Sequence, residues 1–243
     1  MTAASDSTDF ILNPTPTLAL HHVGHEQEPV IVVDNLSLKP QALIDFAATR
    51  VAFAPVVPGI NGYPGLRGPA PRDYVTEVVG ALRPMLDQAF GLQGAAPARV
   101  SCAFSLVTLP PEELIVAQRL PHVDTTDSHQ FAILHFLCDE TFGGTAFYRH
   151  RSTGYETLTP ERQAPYQVRL ARELALHPPP PAYVSGDTPL YVQTAAFEAR
   201  MDRLLIYRSR VLHSGLVRPD DRLDADPRKG RLTANIFLNY DRA

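Results

Sequence analysis

Residues 230–240 alternate without a break. Arg231, Thr233, Asn235, Phe237 and Asn239 fall on one face of an extended segment, and Leu232, Ala234, Ile236, Leu238 and Tyr240 on the other. Period two over this length demands a strand in a sheet with two unlike faces. The apolar face needs a hydrophobic cover, which the helices upstream should supply. The other face carries an arginine into whatever the sheet encloses. An enclosed guanidinium is costly unless it meets an anion, and its fork suits a carboxylate. A small dicarboxylate co-substrate would satisfy it, and so would an internal Asp or Glu.

The rest of the chain fits such a sheet. Residues 29–34 read as a buried strand, and Pro40 sits near the start of an amphipathic helix with Leu43, Ile44, Phe46 and Ala47 on one side. Residues 53–71 are rich in Pro and Gly and read as loop. Residues 72–90 read as a second helix carrying Val75, Val78, Val79, Leu82, Leu86 and Phe90, which Pro84 should kink or split. From about Val100 short β runs follow, at 101–108, 130–138, 145–149, 202–207, 212–217 and 230–240. The 23 prolines suit a chain of many short elements. Residues 151–199 break the β pattern. They hold a helix at 159–176 and a stop at 178–181, and read as an insertion that forms a lid or wall. Helices first and strands after give a mainly β, α+β layout rather than βαβ units. Residues 1–9 read as a disordered tail and 10–243 as one domain, in which 10–99 support a β core at 100–243. No Gly-rich phosphate loop opens a helix after a strand, which argues against a nucleotide fold.

A formal net charge of −4 gives no footprint for nucleic acid. The N-terminus is polar and acidic, with neither the basic nor the apolar region of a signal peptide, and no apolar run is long enough to cross a bilayer. Cys102 and Cys138 are far apart in apolar runs and read as buried free thiols. Together these point to a cytoplasmic protein.

One stretch carries chemistry. His122 and Asp124 are two residues apart, so they share a face only on an extended segment. Pro121 disfavours a helical Leu120, and Val123 is β-branched, so the flanks favour extension. His213 is the candidate third ligand. Two His and one carboxylate with positions left open form the ligand set of a mononuclear non-haem Fe(II) oxygenase. Other polar residues have plainer readings. His21, His22 and His25 read as a solvated loop, His150 and His177 as solvated, and His135 as a core or wall histidine. His129 is a rival ligand. Arg119, Arg149 and Arg151 fall near the expected mouth. Tyr207 precedes a turn and has no assigned facing.

Taken in order, His122-x-Asp124, the stretch from Phe142 to Phe147 with its Gly143-Gly144 pair, Leu212-His213 and Gly230-Arg231-x-Thr233 resemble the Fe(II)/2-oxoglutarate-dependent dioxygenase superfamily. The nearest branch is the prolyl-hydroxylase-like one, and the resemblance covers residues 101–240. It implies a double-stranded β-helix (jelly-roll, cupin-like) core. It implies His122, Asp124 and His213 as iron ligands, and Arg231 on the C5 carboxylate of 2-oxoglutarate with Thr233 in support. The implied reaction uses dioxygen, with ascorbate as a supporting reductant. It hydroxylates an unactivated C–H bond of an amino acid, peptide or small metabolite and releases succinate and carbon dioxide. The spacing from His213 to Arg231 is wider than the family's usual one, which makes Arg218 and Arg222 rivals. The tyrosine that relatives place before His-x-Asp has no evident counterpart. Asp124 is a carboxylate where halogenating relatives carry a small residue, which favours oxygenation. The reading from another class is a cupin-like metal protein, or a degenerate oxygenase, that binds a ligand without oxidising it.

Overall fold

The computed structural model describes residues 8–56, 62–218 and 223–241. Eleven strands and three helices follow one another as β1 (Thr17–Val23), β2 (Glu28–Asp34), α1 (Pro40–Arg50), β3 (Ala54–Pro55), β4 (Gly65–Pro69), α2 (Arg72–Phe90), β5 (Pro97–Val107), β6 (Gln130–Phe136), β7 (Gly144–His150), α3 (Pro160–Leu176), β8 (Tyr191–Glu198), β9 (Arg203–Arg208), β10 (His213–Leu216) and β11 (Leu232–Tyr240). A large antiparallel sheet has the order β1-β2-β9-β6-β11-β5-β4-β3, and a small one the order β10-β7-β8. The two sheets pack face to face in a mainly β, jelly-roll-like sandwich.

Strand register explains the two faces of the large sheet. Ile31, Ile206, Ile133 and Ile236 pair in succession across β2, β9, β6 and β11, so four β-branched side chains form one outward row. Branched side chains pack well on a pleated surface. Leu43, Ile44 and Ala47 of α1 and Val75, Val78, Leu82, Leu86 and Phe90 of α2 cover that row. Leu232, Ala234, Ile236, Leu238 and Tyr240 of β11 all lie in this cluster, as the alternation predicts. Each fully buried Ile or Leu contributes on the order of 1.5–3 kcal/mol.

The inner face is split. Val30, Val32, Ala132, Phe136, Leu205 and Tyr207 meet Phe147, Ala195 and Phe197 of the small sheet and fill one half. The other half, on β4, β5 and β11, is polar and faces a cavity. Behind the small sheet, Ala146, Tyr148 and Leu212 pack with Tyr166, Leu170 and Leu174 of α3. The Thr159 side chain caps α3 by accepting from the Arg162 N–H, and Pro160 opens it.

The structure departs from the sequence pattern in several places. α2 runs unbroken through Pro84, which lies on its solvent face, where water can take the carbonyl released by the missing N–H. Residues 53–71 are not all loop: β3 and β4 extend the large sheet. Gly65, within the expected loop, marks a close approach on β4, since a Cβ there would stand 2.0 Å from the Leu106 carbonyl oxygen. His21 and His22 are on strand β1, exposed, rather than in a loop. The segment 151–199 ends in β8, which pairs with β7 and belongs to the small sheet. His150 is fully buried, not solvated. It bonds Glu173 at 2.9 Å and Thr153 at 2.9 Å. Residues 1–7 of the expected tail, and Arg222, lie outside the described residues. Neither Cys102 nor Cys138 forms a disulfide. No helix among the described residues is long and apolar enough to cross a membrane.

Candidate metal centre

His213 opens β10, and His122 lies directly opposite it. Each backbone N–H donates to the other's carbonyl at 2.9 Å. Residues paired this way project to one side, and the two rings stand 4.5 Å apart between centroids. The chain stays extended through Asp124, whose N–H donates to the Ser209 carbonyl at 2.9 Å. Asp124 therefore shares the face of His122, while Val123 packs on the opposite side among the residues behind the small sheet. Asp124 Oδ1 is 3.8 Å from His122 Nε2, and Oδ2 is 3.7 Å from His213 Nε2. One donor atom from each of the three residues lies within 4.8 Å of the others. Two ligands about 2.1 Å from a shared ion stand roughly 3–3.5 Å apart, so Asp124 is within a fraction of an ångström of that spacing from both rings.

The three side chains are held in a geometry that could hold a metal ion. His213 Nδ1–H donates to the Val211 carbonyl at 2.9 Å, which leaves the Nε2 lone pair directed to the cluster. Tyr207 holds that ring from the side at 4.9 Å, and Phe147 backs Tyr207 at 5.0 Å. Surrounding protein and the neighbouring His213 pull the His122 pKa down to about 4, against the pull of Asp124. His122 is thus a neutral imidazole at neutral pH. Its side chain is 52% exposed, that of Asp124 21% and that of His213 7%. The cluster is therefore anchored in the sheet and open on the His122 side.

The facing wall is the polar half of the large sheet. Arg67, Ser105 and Thr233 are register partners across β4, β5 and β11, all facing inward. Arg231, two residues before Thr233, is 4% exposed. Its Nε donates to the Phe142 carbonyl at 3.0 Å and its Nη2 to the Gly144 carbonyl at 2.7 Å. Nη1 makes no hydrogen bond, and no carboxylate lies within 4.0 Å, among the described residues. The internal salt bridge that could have satisfied this arginine is absent among them. Gly143, at φ +85°, and Gly144 make the turn that receives it. A Cβ on either would come within 2.1 Å of a backbone carbonyl oxygen.

A cavity of about 770 Å³ joins the two walls, bounded by His122, Asp124, His213, Arg231, Thr233 and Arg67 among others. That is within the usual size of a small-molecule site. Thr145 Oγ1 and Asn235 Oδ1 are buried on its lining with no hydrogen-bond partner. Such orphans cost about 1–3 kcal/mol each and call for an explanation.

Sequence reasoning did not place Tyr63, Arg67 or Tyr183 on the lining, and it left Tyr207 without a facing. Arg67 was hidden by the glycines and prolines around it, although two-residue alternation from Gly65 to Arg67 was there to be read. Tyr183 is the part of segment 151–199 that reaches the cavity. α3 lies behind the small sheet. The rivals are elsewhere. His129 pairs with Asp127 and Ser128. Arg119 bonds the Leu114 carbonyl, Arg149 meets His25 and Glu156, and Arg151 bonds Asp187. Arg218 is exposed. His135 is a core histidine held between Tyr74 and Asp202 at 3.0 Å each.

Residues 14–238 match a family of unknown function (DUF6445), and the chain belongs to that family. No curated protein matches it. Among solved structures it is similar to an N-substituted L-amino acid dioxygenase from Burkholderia ambifaria, with 10% identity over 88% of this chain and 82% of that one and a TM-score of 0.39. A likeness that distant transfers no residue role.

Proposed function

We propose that this protein is an Fe(II)- and 2-oxoglutarate-dependent dioxygenase that hydroxylates a small molecule or peptide. The observation that carries the reading is the facing of two elements across one cavity: a His/Asp/His cluster and an inward arginine without a carboxylate partner. His122, Asp124 and His213 would hold the ferrous ion. Two neutral imidazoles and one carboxylate suit that ion and leave coordination positions open. Arg231, through its unused Nη1, would take the distal carboxylate of 2-oxoglutarate, with Thr233 beside it. When bound, the ion and the keto-acid supply dioxygen activation and C–H hydroxylation, with release of succinate and carbon dioxide.

The chain's own contribution is placement. The His122–His213 backbone pair fixes both rings, and the Val211 carbonyl fixes the His213 tautomer. The packed half of the inner face, around Phe147 and Tyr207, keeps water from the back of the cluster. Arg231 ties the Gly143-Gly144 turn to β11, so the cation and the small sheet that carries His213 are held together. A reducing cytoplasm would keep both the ferrous ion and the two thiols reduced, and ascorbate would support turnover.

The test is a pair of measurements. Anaerobic Fe(II) plus 2-oxoglutarate should give a weak visible charge-transfer absorption, and in air the protein should convert 2-oxoglutarate to succinate. Asp124→Ala, His213→Ala and Arg231→Lys should each lose both signals. A protein that binds zinc tightly, shows no such absorption and forms no succinate would be a ligand-binding jelly roll instead.

A further inference from the structure

Arg231 is not the only uncompensated cation in the cavity. Arg67 projects from β4 on the same inner face, two strands from Thr233. Its Nε is buried without a hydrogen-bond partner, and its guanidinium makes no ion pair among the described residues. Its neighbour is the ring of Tyr63, 4.8 Å from the guanidinium carbon. Burial lowers its pKa, while Tyr63 and Asp124 act to raise it. Arginine nevertheless stays charged. Arg208 also lies against a ring with its Nε unbonded, but Glu28 pairs it; Arg67 has the ring and the idle donor with no carboxylate among the described residues, which leaves room for an anion.

Charge counting assigns the other half. Among the described residues the inner cations on the lining are Arg67 and Arg231, and its one acidic side chain is Asp124. With a ferrous ion these groups leave a surplus of three positive charges. The dianion of 2-oxoglutarate leaves +1. A monoanion closes the balance, whereas a phosphate dianion overshoots it. Arg99 also lines the cavity but is exposed, so water compensates it.

We infer that Arg67 binds the carboxylate of the primary substrate, so that the substrate class is a carboxylic acid. The inference rests on the dioxygenase reading of the same cavity. It gives the two arginines different ligands: Arg231 holds the co-substrate and Arg67 the substrate.

The experiment uses matched probes: short aliphatic and aromatic carboxylic acids, each beside its neutral primary amide. Thermal melting of the protein with Fe(II) and 2-oxoglutarate under anaerobic conditions reads binding without turnover, and succinate formation in air reads coupling. Acids should raise the melting temperature and accelerate succinate formation where their amides do not. Arg67→Met should weaken the best acid by roughly ten- to a hundredfold, the loss of one charge-assisted contact, while Arg67→Lys retains part of it. Arg67→Met should also melt no lower than the parent without ligand, because it removes a half-buried charge that has no ion pair. The visible absorption titrated with 2-oxoglutarate should shift less than threefold in Arg67→Met and be lost in Arg231→Lys. Equal effects of acids and amides, no effect of any acid, or an undiminished acid effect in Arg67→Met overturns the assignment. Loss of the 2-oxoglutarate absorption in the parent protein overturns the dioxygenase reading instead, and Arg67→Met losing that absorption gives Arg67 to the co-substrate.

Discussion

Removing the Asp124 carboxylate should uncouple metal binding from the fold without harming the fold. Among the described residues the Asp124 side chain makes no hydrogen bond; its contacts are with His122 and His213, at 3.8 and 3.7 Å. Only its backbone N–H holds structure, through Ser209. Asp124→Ala should therefore melt within a degree or two of the parent in the absence of metal. With metal the two should part. An ion present at a hundred times its dissociation constant stabilises a protein by about 2.7 kcal/mol. For a chain of 243 residues that corresponds to roughly 5–11 °C in melting temperature, at about 2–4 °C per kcal/mol. If the loss of one ligand of three weakens binding about a hundredfold, the same ion concentration gives only about 0.4 kcal/mol, or roughly 1–2 °C. Anaerobic differential scanning fluorimetry with Fe(II), repeated with Mn(II) as a non-oxidising substitute, measures both shifts. Equal shifts in the parent and Asp124→Ala, or none in the parent at saturating ion, would refute a centre made of these three side chains.

Three further outcomes follow from the framework. Gly143→Ala puts a methyl group 2.1 Å from the Leu216 carbonyl oxygen at a φ of +85°. It should cost at least about 2 kcal/mol in urea unfolding, and parental stability would show that the turn can relax. Asp202 accepts from the Ser37 N–H at 2.7 Å, the Ser37 hydroxyl at 2.8 Å and His135 at 3.0 Å, all in the core. Asp202→Ala should lose about 3 kcal/mol or more and Asp202→Asn distinctly less, and a loss below about 1 kcal/mol for alanine contradicts the network. Burial holds the His150 pKa below its ordinary value despite Glu173 beside it. The unfolded chain therefore takes up this proton first as the pH falls. The stability His150 contributes is intact above about pH 6.5 and is lost as the pH drops toward the folded value. Glu173, whose pKa is also lowered, keeps its contribution through that range. The melting temperature should fall less steeply from pH 7.5 to 5 in His150→Gln than in the parent, and equal slopes would exclude the histidine as the cause.

What could be read from the sequence was what a single segment encodes by itself. β11 declares both its faces, because its alternation is strict and the helices upstream supply the cover. His122 and Asp124 share a face for the same local reason. The short and glycine-bearing strands were not legible. β4 has glycines at 65 and 68 because other chain segments come within van der Waals reach, a fact held by β5 and by Val51 and not by β4. β8 has a weak burial pattern and becomes a strand by pairing with β7. Tyr207 has its facing set by the pairing with Ala132 and not by its neighbours in sequence. Arg67 and Tyr207 reach the cavity by long-range register, so the part of the wall they form was invisible to local pattern.

The distribution of compensated charge strengthens the case for that cavity. Elsewhere among the described residues, the inner arginines Arg203, Arg208 and Arg210 each have a carboxylate, although Arg208 and Arg210 also keep an unbonded Nε. Arg203 bonds both oxygens of Asp34, Arg208 and Arg210 share Glu28, and the Glu156 carboxylate takes the N–H groups of His25 and Glu26. A chain that pairs its inner charges this consistently does not leave cations open by accident, since each one costs stability. Arg231 and Arg67 are open, and both face the same space as the His/Asp/His cluster and the orphaned Thr145 and Asn235. Local rules give way where function requires it. In this fold they give way together on the polar half of one inner face, across from three side chains that could hold a metal ion. The proposed ligand set matches that charge: one cation against Asp124, and anions against the two arginines.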